Sequence, residues 1–302
     1  MITSHSPAIL ACLNGVIQPA AEARVSVLDR GFLFGDGIYE MVRLSNGRLH
    51  AIDRHWRRLD RSLKALEFPP VNLSLLRSQV SQTLAVAGHR DATVYIQISR
   101  ATAPRAHAFP VDGEPTTLIL VQHFGDEKAH LRQAGAGVIT FTDLRWARCD
   151  IKSINLLGSV LAAEAAKRAG CVEAVLIRED GVVTECAHSS LFAVLDGVLR
   201  THPLDPRILP GVTREIVLEL AAELGIPCRH KALRREDLPQ VEELFLTSTT
   251  ARVLPLVTLD GQRVADGKPG PFTRQLRDAF AAWERADEQR TPSAEGLDAG
   301  AL

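Results

Sequence analysis

The chain has 302 residues, of which 46% are hydrophobic and 24% charged, and its 35 basic side chains nearly balance 36 acidic ones. This length predicts two domains or one large one, and the composition is that of a folded globular protein rather than a disordered chain. The balanced charge argues against a nucleic-acid-binding surface. Five dispersed cysteines without a Cys-x-x-Cys pair predict neither a disulfide framework nor a metal site, which favours a cytoplasmic protein.

Neither a signal-peptide pattern nor an apolar run of the roughly 20 residues needed for a membrane helix is found along the sequence. We therefore expect a chain that is neither exported nor membrane-spanning.

The first part of the chain alternates strand and helix patterns. The dipeptide Asn46-Gly47 predicts a hairpin turn, and Asp53 is the predicted N-cap of the helix that follows it. A second amphipathic helix is predicted from about Leu73 to Ala87. The loop at 103–115 between two strand-like runs is long for a simple connection, so it is expected to carry a site. His50 and His55 are expected at the surface.

Beyond a polar stretch near Gly125, strands and helices interleave again. A helix is predicted to open after Pro210-Gly211, and the last helix from about Phe272 to Arg285. The pattern predicts an α/β or α+β fold with two domains. We expect a small N-terminal domain over 1–126, a larger C-terminal domain over 127–285 and a disordered tail over 286–302.

The motifs of serine hydrolases, P-loop enzymes and zinc proteases are absent from the sequence. Of only six lysines, Lys152 alone stands between Ile151 and a predicted helix start whose first turns are apolar, in RCDIKSINLLGSVL, where an amine can be partly desolvated. A neutral amine is a nucleophile toward an aldehyde, which is what a Schiff base with pyridoxal 5′-phosphate requires. A lone half-buried lysine is more often structural, so this pattern is weak by itself.

Further residues can supply what such a cofactor needs. A phosphate group can bind at the helix N-terminus that contains Val212 and Thr213, with the hydroxyls of Ser248 and Thr249 beside it. The carboxylate of Glu185 can face the pyridine nitrogen, and Leu209 can pack on the ring. Taken singly, each of these residues is equally or better explained as a helix cap, a surface group or a core residue.

Five ordered segments give the sequence a specific resemblance to a known family. They are DRGFLFGDGIYE (29–40), RATAPRAHAFP (100–110), LRWARCDIKSINLLGSVLA (144–162), ILPGVTRE (208–215) and ELFLTSTT (243–250). With these segments the sequence resembles fold-type IV pyridoxal-phosphate aminotransferases, most closely the bacterial D-amino-acid aminotransferases of the D-alanine type, from about Ala11 to Ala282. The resemblance implies a C-terminal domain with a β-barrel-like core that binds the cofactor.

The resemblance also implies roles for individual residues. Lys152 corresponds to the lysine that binds the cofactor and moves a proton during the reaction, and Glu185 to the partner of the pyridine nitrogen. Arg58, Val212, Thr213 and Thr249 fall on phosphate-binding positions, and Leu209 on the position packed against the ring. Tyr39, together with Arg105 and His107 from a neighbouring subunit, corresponds to the groups that bind the substrate α-carboxylate.

The implied activity is a ping-pong transfer of the amino group of D-alanine, D-glutamate or D-aspartate to a 2-oxo acid, in a homodimer with shared active sites. A branched-chain L-aminotransferase, an (R)-selective amine transaminase and an aminodeoxychorismate lyase remain alternatives on the same fold. The sequence departs from the family at Cys186–Ser190, where relatives carry a serine-rich run and only Ser189 keeps the usual residue type. This departure bears on the hydrogen bonding around Glu185 and on the preferred substrate.

Overall fold

The structure is a computed structural model that describes residues 9–290. These residues form two compact units. The first contains the described chain up to Gly125, the segment Lys152–Asn155 and the chain from Arg285 onward. The second contains Asp126–Ile151 and Leu156–Glu284.

The first unit is built on an antiparallel sheet with three helices. The strands are β1 (Leu10–Leu13), β2 (Val16–Pro19), β3 (Gly37–Ser45), β4 (Arg48–Leu49), β5 (Ala92–Ser99) and β6 (Thr116–His123), and the helices are α1 (Arg30–Phe34), α2 (Ile52–Ala65) and α3 (Leu73–Ala87). The strand order is β2-β1-β6-β5-β3-β4. Helix α2 packs on β3, and helix α3 packs on β1 and β6, so the buried face of the sheet lies under these two helices.

The hairpin at Asn46-Gly47 is confirmed. It joins β3 to β4 with positive φ angles of 49° and 77°, which this dipeptide tolerates. The prediction that Asp53 is the N-cap of α2 is wrong. The cap is Ala51, which has a left-handed backbone with φ 49°, and Asp53 lies in the first helical turn, where a negative charge favours the helix dipole.

The second unit is built on a nine-stranded mixed sheet. The strands are β7 (Ala136–Thr142), β8 (Glu173–Ile177), β9 (Val183–Cys186), β10 (Ser190–Leu195), β11 (Val198–Thr201), β12 (Cys228–His230), β13 (Glu243–Ser248), β14 (Arg252–Leu259) and β15 (Gln262–Arg263). Their order is β12-β11-β10-β13-β14-β7-β8-β9, with β15 paired to β14. The helices are α4 (Leu131–Ala134), α5 (Leu157–Arg168), α6 (Val212–Glu223) and α7 (Pro271–Arg290, in this unit up to Glu284), with a 3₁₀ helix at Arg235–Gln240.

The two ends of this sheet curl toward each other. Val183, the first residue of β9, donates its N–H to the carbonyl of Leu233 at 2.9 Å. Val182 pairs with Arg234, and both partners come just after β12 in the chain. The interior is filled by aliphatic side chains such as Val138. The second unit therefore has the barrel-like core expected from the resemblance.

Helix α7 runs to Arg290, five residues beyond its predicted end. Residues 286–290, which were predicted to be disordered, are therefore helical, and the rest of that predicted tail lies outside the described residues. The physical reason is that the chain from Arg285 onward belongs to the first unit and finds partners within it: Asp287 accepts a hydrogen bond from the N–H of Ala51 at 2.9 Å, and Glu288 lies 3.4 Å from His50. No helix within residues 9–290 combines the length and apolarity needed to cross a membrane.

Candidate active site

Lys152 begins a short segment that lies beside β3 in the first unit. The N–H of Tyr39 donates to the carbonyl of Lys152 at 2.9 Å, and the N–H of Ile154 donates to the carbonyl of Gly37 at 3.0 Å. Lys152 is half-buried, and its Nζ lies 4.1 Å from the centroid of the Tyr39 ring. The structure thus brings Lys152 and Tyr39, two of the predicted site residues, into contact.

Arg58 is fixed by the buried carboxylate of Glu40. Its Nε donates to Glu40 Oε1 at 2.7 Å and its Nη2 to Oε2 at 2.8 Å, while His55 Nδ1 lies 2.7 Å from Oε2. Burial alone would raise the pKa of Glu40, but Arg58 and His55 outweigh it and hold that pKa well below its usual value. Burial lowers the pKa of His55. His55 and His50 are both buried, so the prediction that they are surface residues is wrong.

Arg105 and His107 lie on the predicted site loop and are exposed. Both pack against Phe34 at the end of α1. The Arg105 guanidinium carbon is 5.2 Å from the centroid of that ring, and the imidazole of His107 is 5.6 Å from it, centroid to centroid. The loop therefore presents two basic side chains over an aromatic support within the first unit.

Glu185 lies on β9 in the second unit and is buried. Its Oε1 accepts hydrogen bonds from Arg145 Nη1 and, at 3.1 Å, from the backbone N–H of Leu209. Its other oxygen, Oε2, receives no hydrogen bond from the described part of the chain. Burial raises the pKa of Glu185, and the positive charge of Arg145 only partly offsets this effect.

Arg145 is itself shared between two acids. Its Nε and Nη2 donate to the two oxygens of Asp143 at 2.9 and 3.0 Å, and Nη2 also lies 3.2 Å from the carbonyl of Arg207. Burial alone would raise the pKa of Asp143, but hydrogen bonds from Arg145 and Thr184 help to lower it. The guanidinium is therefore held by Asp143 in the position from which it reaches Glu185.

The N-terminus of α6 carries the predicted phosphate ligands Val212 and Thr213, which are both buried. Gly211 precedes them, and a Cβ at this position would lie 2.6 Å from Ser190 Oγ, so the close approach requires glycine. Arg214 in the same turn is buried and donates to neutral oxygens, the carbonyl of His202 at 2.8 Å and Thr201 Oγ1 at 3.4 Å. Burial lowers the pKa of this arginine. A cation next to free backbone N–H groups makes this turn favourable for an anion.

Ser248 and Thr249 lie at the end of β13 and are half-buried. Ser248 Oγ accepts a hydrogen bond from the N–H of Ala251 at 3.1 Å, which closes the turn into β14. Part of the hydrogen-bonding capacity of Ser248 is therefore used structurally.

The unusual segment Cys186–Ser190 is organised by a second buried acid, Glu173. Glu173 accepts hydrogen bonds from the N–H of His188 at 2.7 Å and from Ser189 Oγ at 2.5 Å. The hydrogen bonds to Glu185 come instead from Arg145 and Leu209. The unusual residues at Cys186–Ser190 therefore do not take part in the hydrogen bonds that Glu185 accepts from Arg145 and Leu209.

Comparison with known proteins identifies the family. A model of the family described as amino-transferase class IV matches residues 37–259. The chain belongs to the class IV aminotransferases. This aminotransferase is 38% identical over 272 residues to D-alanine aminotransferase of Bacillus licheniformis, covering 88% of this chain and 94% of that protein.

Solved structures of the family have the same fold. The branched-chain amino acid aminotransferase of Escherichia coli superposes with a TM-score of 0.86 at 26% identity, over 93% of this chain and 96% of that chain. The T.th. enzyme of the same name, solved with pyridoxamine 5′-phosphate, gives a TM-score of 0.84 at 26% identity, over 97% and 98% of the two chains. The predicted fold-type IV architecture is confirmed.

Sequence reasoning missed two residues that organise the aminotransferase's predicted site, Glu40 and Arg145. Glu40 could have been found, because it shares the buried face of β3 with Ile38 and Val42 at alternate positions, where a carboxylate needs a partner. Arg145 lies in a segment that carried the family resemblance. Its pairing with Glu185 spans forty residues and has no signal in local spacing.

Proposed function

We propose that this aminotransferase transfers amino groups from D-amino acids of the D-alanine, D-glutamate or D-aspartate type to 2-oxo acids such as pyruvate and 2-oxoglutarate, using pyridoxal 5′-phosphate. The observation that carries the proposal is the relative named D-alanine aminotransferase, which matches nearly the whole chain at 38% identity. The structural relatives named branched-chain amino acid aminotransferase are 26% identical. A cytoplasmic location remains a prediction.

The residues present fit this cofactor, each within its own unit. The amine of Lys152 lies against an aromatic ring, and Glu185 Oε2 has no hydrogen-bond donor among residues 9–290. The first turn of α6 offers backbone N–H groups beside the buried cation of Arg214, which suits a phosphate group. When bound, pyridoxal phosphate supplies an electron sink that stabilises negative charge at the substrate α-carbon.

Lys152 has two tasks in this proposal. It would hold the cofactor covalently, and its amine would carry a proton between the substrate α-carbon and the cofactor. Glu185 would keep a proton on the pyridine nitrogen, and Leu209 would lie against the ring. Arg58, Val212, Thr213, Ser248 and Thr249 would bind the phosphate.

Substrate selection in the proposal depends on charge. Tyr39, Arg105 and His107 bind the α-carboxylate, because a buried carboxylate needs a cationic donor, and the arginine fork supplies one. Binding the carboxylate on the Tyr39 side determines which enantiomer directs its α-hydrogen toward Lys152. The proposed result is a preference for D-amino acids.

We further propose a homodimer in which Arg105 and His107 serve the site of the neighbouring subunit. Supporting this, both side chains are exposed in the single chain. Large apolar side chains are also exposed in the first unit, with Val27 71% and Phe32 69% accessible, and association of two copies would cover such groups.

The test begins with Lys152→Ala in the purified enzyme. The wild type should absorb visible light through the lysine-bound cofactor. Borohydride reduction should then attach the cofactor permanently, as a label, to the peptide that contains Lys152. Lys152→Ala should lower kcat by about 10³-fold or more. Lys167→Ala is the control, because Lys167 is exposed on α5. A colourless wild type, or a label on another lysine, would refute the proposed cofactor chemistry.

A donor screen then tests the substrate class. Half-reactions with D-alanine, L-leucine and (R)-1-phenylethylamine, followed by the cofactor spectrum, separate the D-amino-acid activity from a branched-chain or amine activity. The branched-chain alternative is kept because the solved relatives carry that name. Faster reaction with L-leucine than with D-alanine would favour it, and pyruvate release from aminodeoxychorismate without an acceptor would indicate a lyase.

A further inference from the structure

Arg30, which has no role in the proposed catalysis, holds the backbone of the loop that carries Arg105 and His107. It lies at the start of α1, and its side chain is only 4% exposed. Its Nη1 donates to the carbonyls of Ala106 at 2.7 Å and Ala108 at 3.2 Å, and its Nη2 donates to the carbonyl of His107 at 3.2 Å. One guanidinium thus binds three consecutive carbonyls.

A second arginine supports the same loop through a shared acid. Asp36 accepts a hydrogen bond from Arg30 Nε at 2.7 Å and from Arg100 Nε at 3.0 Å. The guanidinium carbon of Arg100 lies 3.5 Å from the centroid of the Phe109 ring, and its two terminal nitrogens donate to backbone carbonyls just after α2. The loop is therefore attached at its backbone by Arg30 and at Phe109 by Arg100.

These contacts explain how an exposed loop can present side chains in fixed directions. Arg30 also lies over Phe34, with its guanidinium carbon 4.9 Å from the centroid of the ring on which Arg105 and His107 pack. A planar guanidinium with five N–H donors can bind several carbonyls and a carboxylate together, whereas a lysine ammonium cannot reproduce this fork.

We propose that Arg30 is a positioning residue for substrate carboxylate binding, acting through the backbone of Ala106–Ala108. The proposal rests on the proposed function of Arg105 and His107. Because a misplaced binding group loses most of its contribution, release of the loop should weaken binding of carboxylates and leave cofactor binding intact.

The test uses Arg30→Lys and Asp36→Asn in the holoenzyme. Arg30→Lys keeps a positive charge beside Asp36 but loses the planar guanidinium that binds the three carbonyls. Asp36→Asn keeps Arg30 and Arg100 but removes the negative charge between them. Arg24→Lys is the matched control, because Arg24 also donates to backbone carbonyls, those of Ala21 at 2.7 Å and Ala23 at 2.9 Å, but is exposed and outside the loop.

Two readouts separate positioning from a structural role. Arg30→Lys should raise the KM for D-alanine, and the dissociation constant of propionate measured from the cofactor spectrum, by about tenfold or more, with kcat changed by less than about threefold. Asp36→Asn should act in the same direction to a smaller extent, and Arg24→Lys should change neither constant. Hydrogen exchange should become faster within the loop 104–110 of Arg30→Lys.

Three outcomes would overturn the proposal. The first is that both variants keep the cofactor spectrum while the KM and the propionate dissociation constant stay within about twofold of wild type. The second is loss of the fold and cofactor in both variants, since Arg30 then supports the whole unit. The third is unchanged hydrogen exchange in the loop. If the wild type shows neither cofactor absorbance nor transamination, the proposed function fails instead, and hydrogen exchange still decides whether Arg30 holds the loop.

Discussion

Two buried glutamates, Glu40 in the first unit and Glu185 in the second, each bind an arginine, yet their pKa values shift in opposite directions. Glu40 uses both oxygens, with Arg58 donating to each of them and His55 adding a third contact. The hydrogen bonds to Glu185 both end on Oε1. Its arginine, Arg145, also forms hydrogen bonds with a second acid, Asp143.

The difference shows what burial does to a carboxylate with and without a full set of partners. Two hydrogen bonds from the Arg58 guanidinium compensate for the loss of water around Glu40, so the charged form of Glu40 is favoured in the fold. The loss of water around Glu185 is only partly compensated, so its charged form needs one more hydrogen-bond donor. The first arrangement suits a residue that positions Arg58, and the second suits a residue that binds a protonated ligand nitrogen.

The largest expected effect is on stability, in Glu40→Gln. Removing one partner from a buried ion pair leaves Arg58 without its anion, which should lower the free energy of unfolding by about 3 kcal/mol. Urea denaturation of the cofactor-free protein measures this change. Glu164→Gln is the control, because the pair of Glu164 with Arg168 is exposed and should contribute less than about 0.5 kcal/mol. A Glu40→Gln variant as stable as wild type would remove the basis of the comparison.

Glu185→Gln should lower catalytic activity and leave stability unchanged or increased. Its kcat should fall by about 10²-fold, because a neutral amide cannot hold a proton on the pyridine nitrogen electrostatically. Its stability without cofactor should equal or exceed that of wild type, since a buried charge with incomplete partners is removed. Steady-state kinetics and urea denaturation measure both quantities.

The control for Glu185→Gln is another buried acid of the second unit. Glu243 accepts hydrogen bonds from the N–H groups of Phe272 and Thr273 at the start of α7. Glu243→Gln should therefore lose stability and keep its kcat. If Glu185→Gln behaved in this way, Glu185 would be a structural acid like Glu40.

Arg145→Lys should have a smaller effect on catalysis. A single ammonium cannot serve Asp143 and Glu185 as the guanidinium does, so Glu185 would lose part of its support. We expect kcat to fall by about tenfold, with a weaker absorbance change at the cofactor than in Glu185→Gln. Arg148→Lys is the control, because Arg148 is exposed and pairs with the half-buried Asp150 instead of with Glu185. An unchanged kcat in Arg145→Lys would mean that Glu185 does not need the guanidinium that it shares with Asp143.

The parts of the fold that depend on neighbours in sequence could be predicted, and the parts that depend on distant contacts could not. The Asn46-Gly47 turn and the helix Leu73–Ala87 follow from local turn chemistry and periodicity. The helical continuation of α7 depends on Asp287 meeting Ala51 across 236 positions. The candidate residues came from the family resemblance, whereas the acids and arginines that orient them require the folded sheets.

The smallest effect expected is the pH dependence of stability, which tests the two directions of pKa shift in cofactor-free protein. Because the folded pKa of Glu40 lies below its ordinary value near 4.5, its contribution is present above that value and is lost as the pH falls. The folded pKa of Glu185 is raised, so its relative contribution is present below the ordinary value and is lost as the pH rises. Below about pH 4.5 the stability deficit of Glu40→Gln should therefore shrink toward acid, whereas between about pH 4.5 and pH 8 any gain in Glu185→Gln should grow toward neutral pH. If the stability difference from wild type changed with pH in the same way in both variants, the two carboxylates would titrate alike.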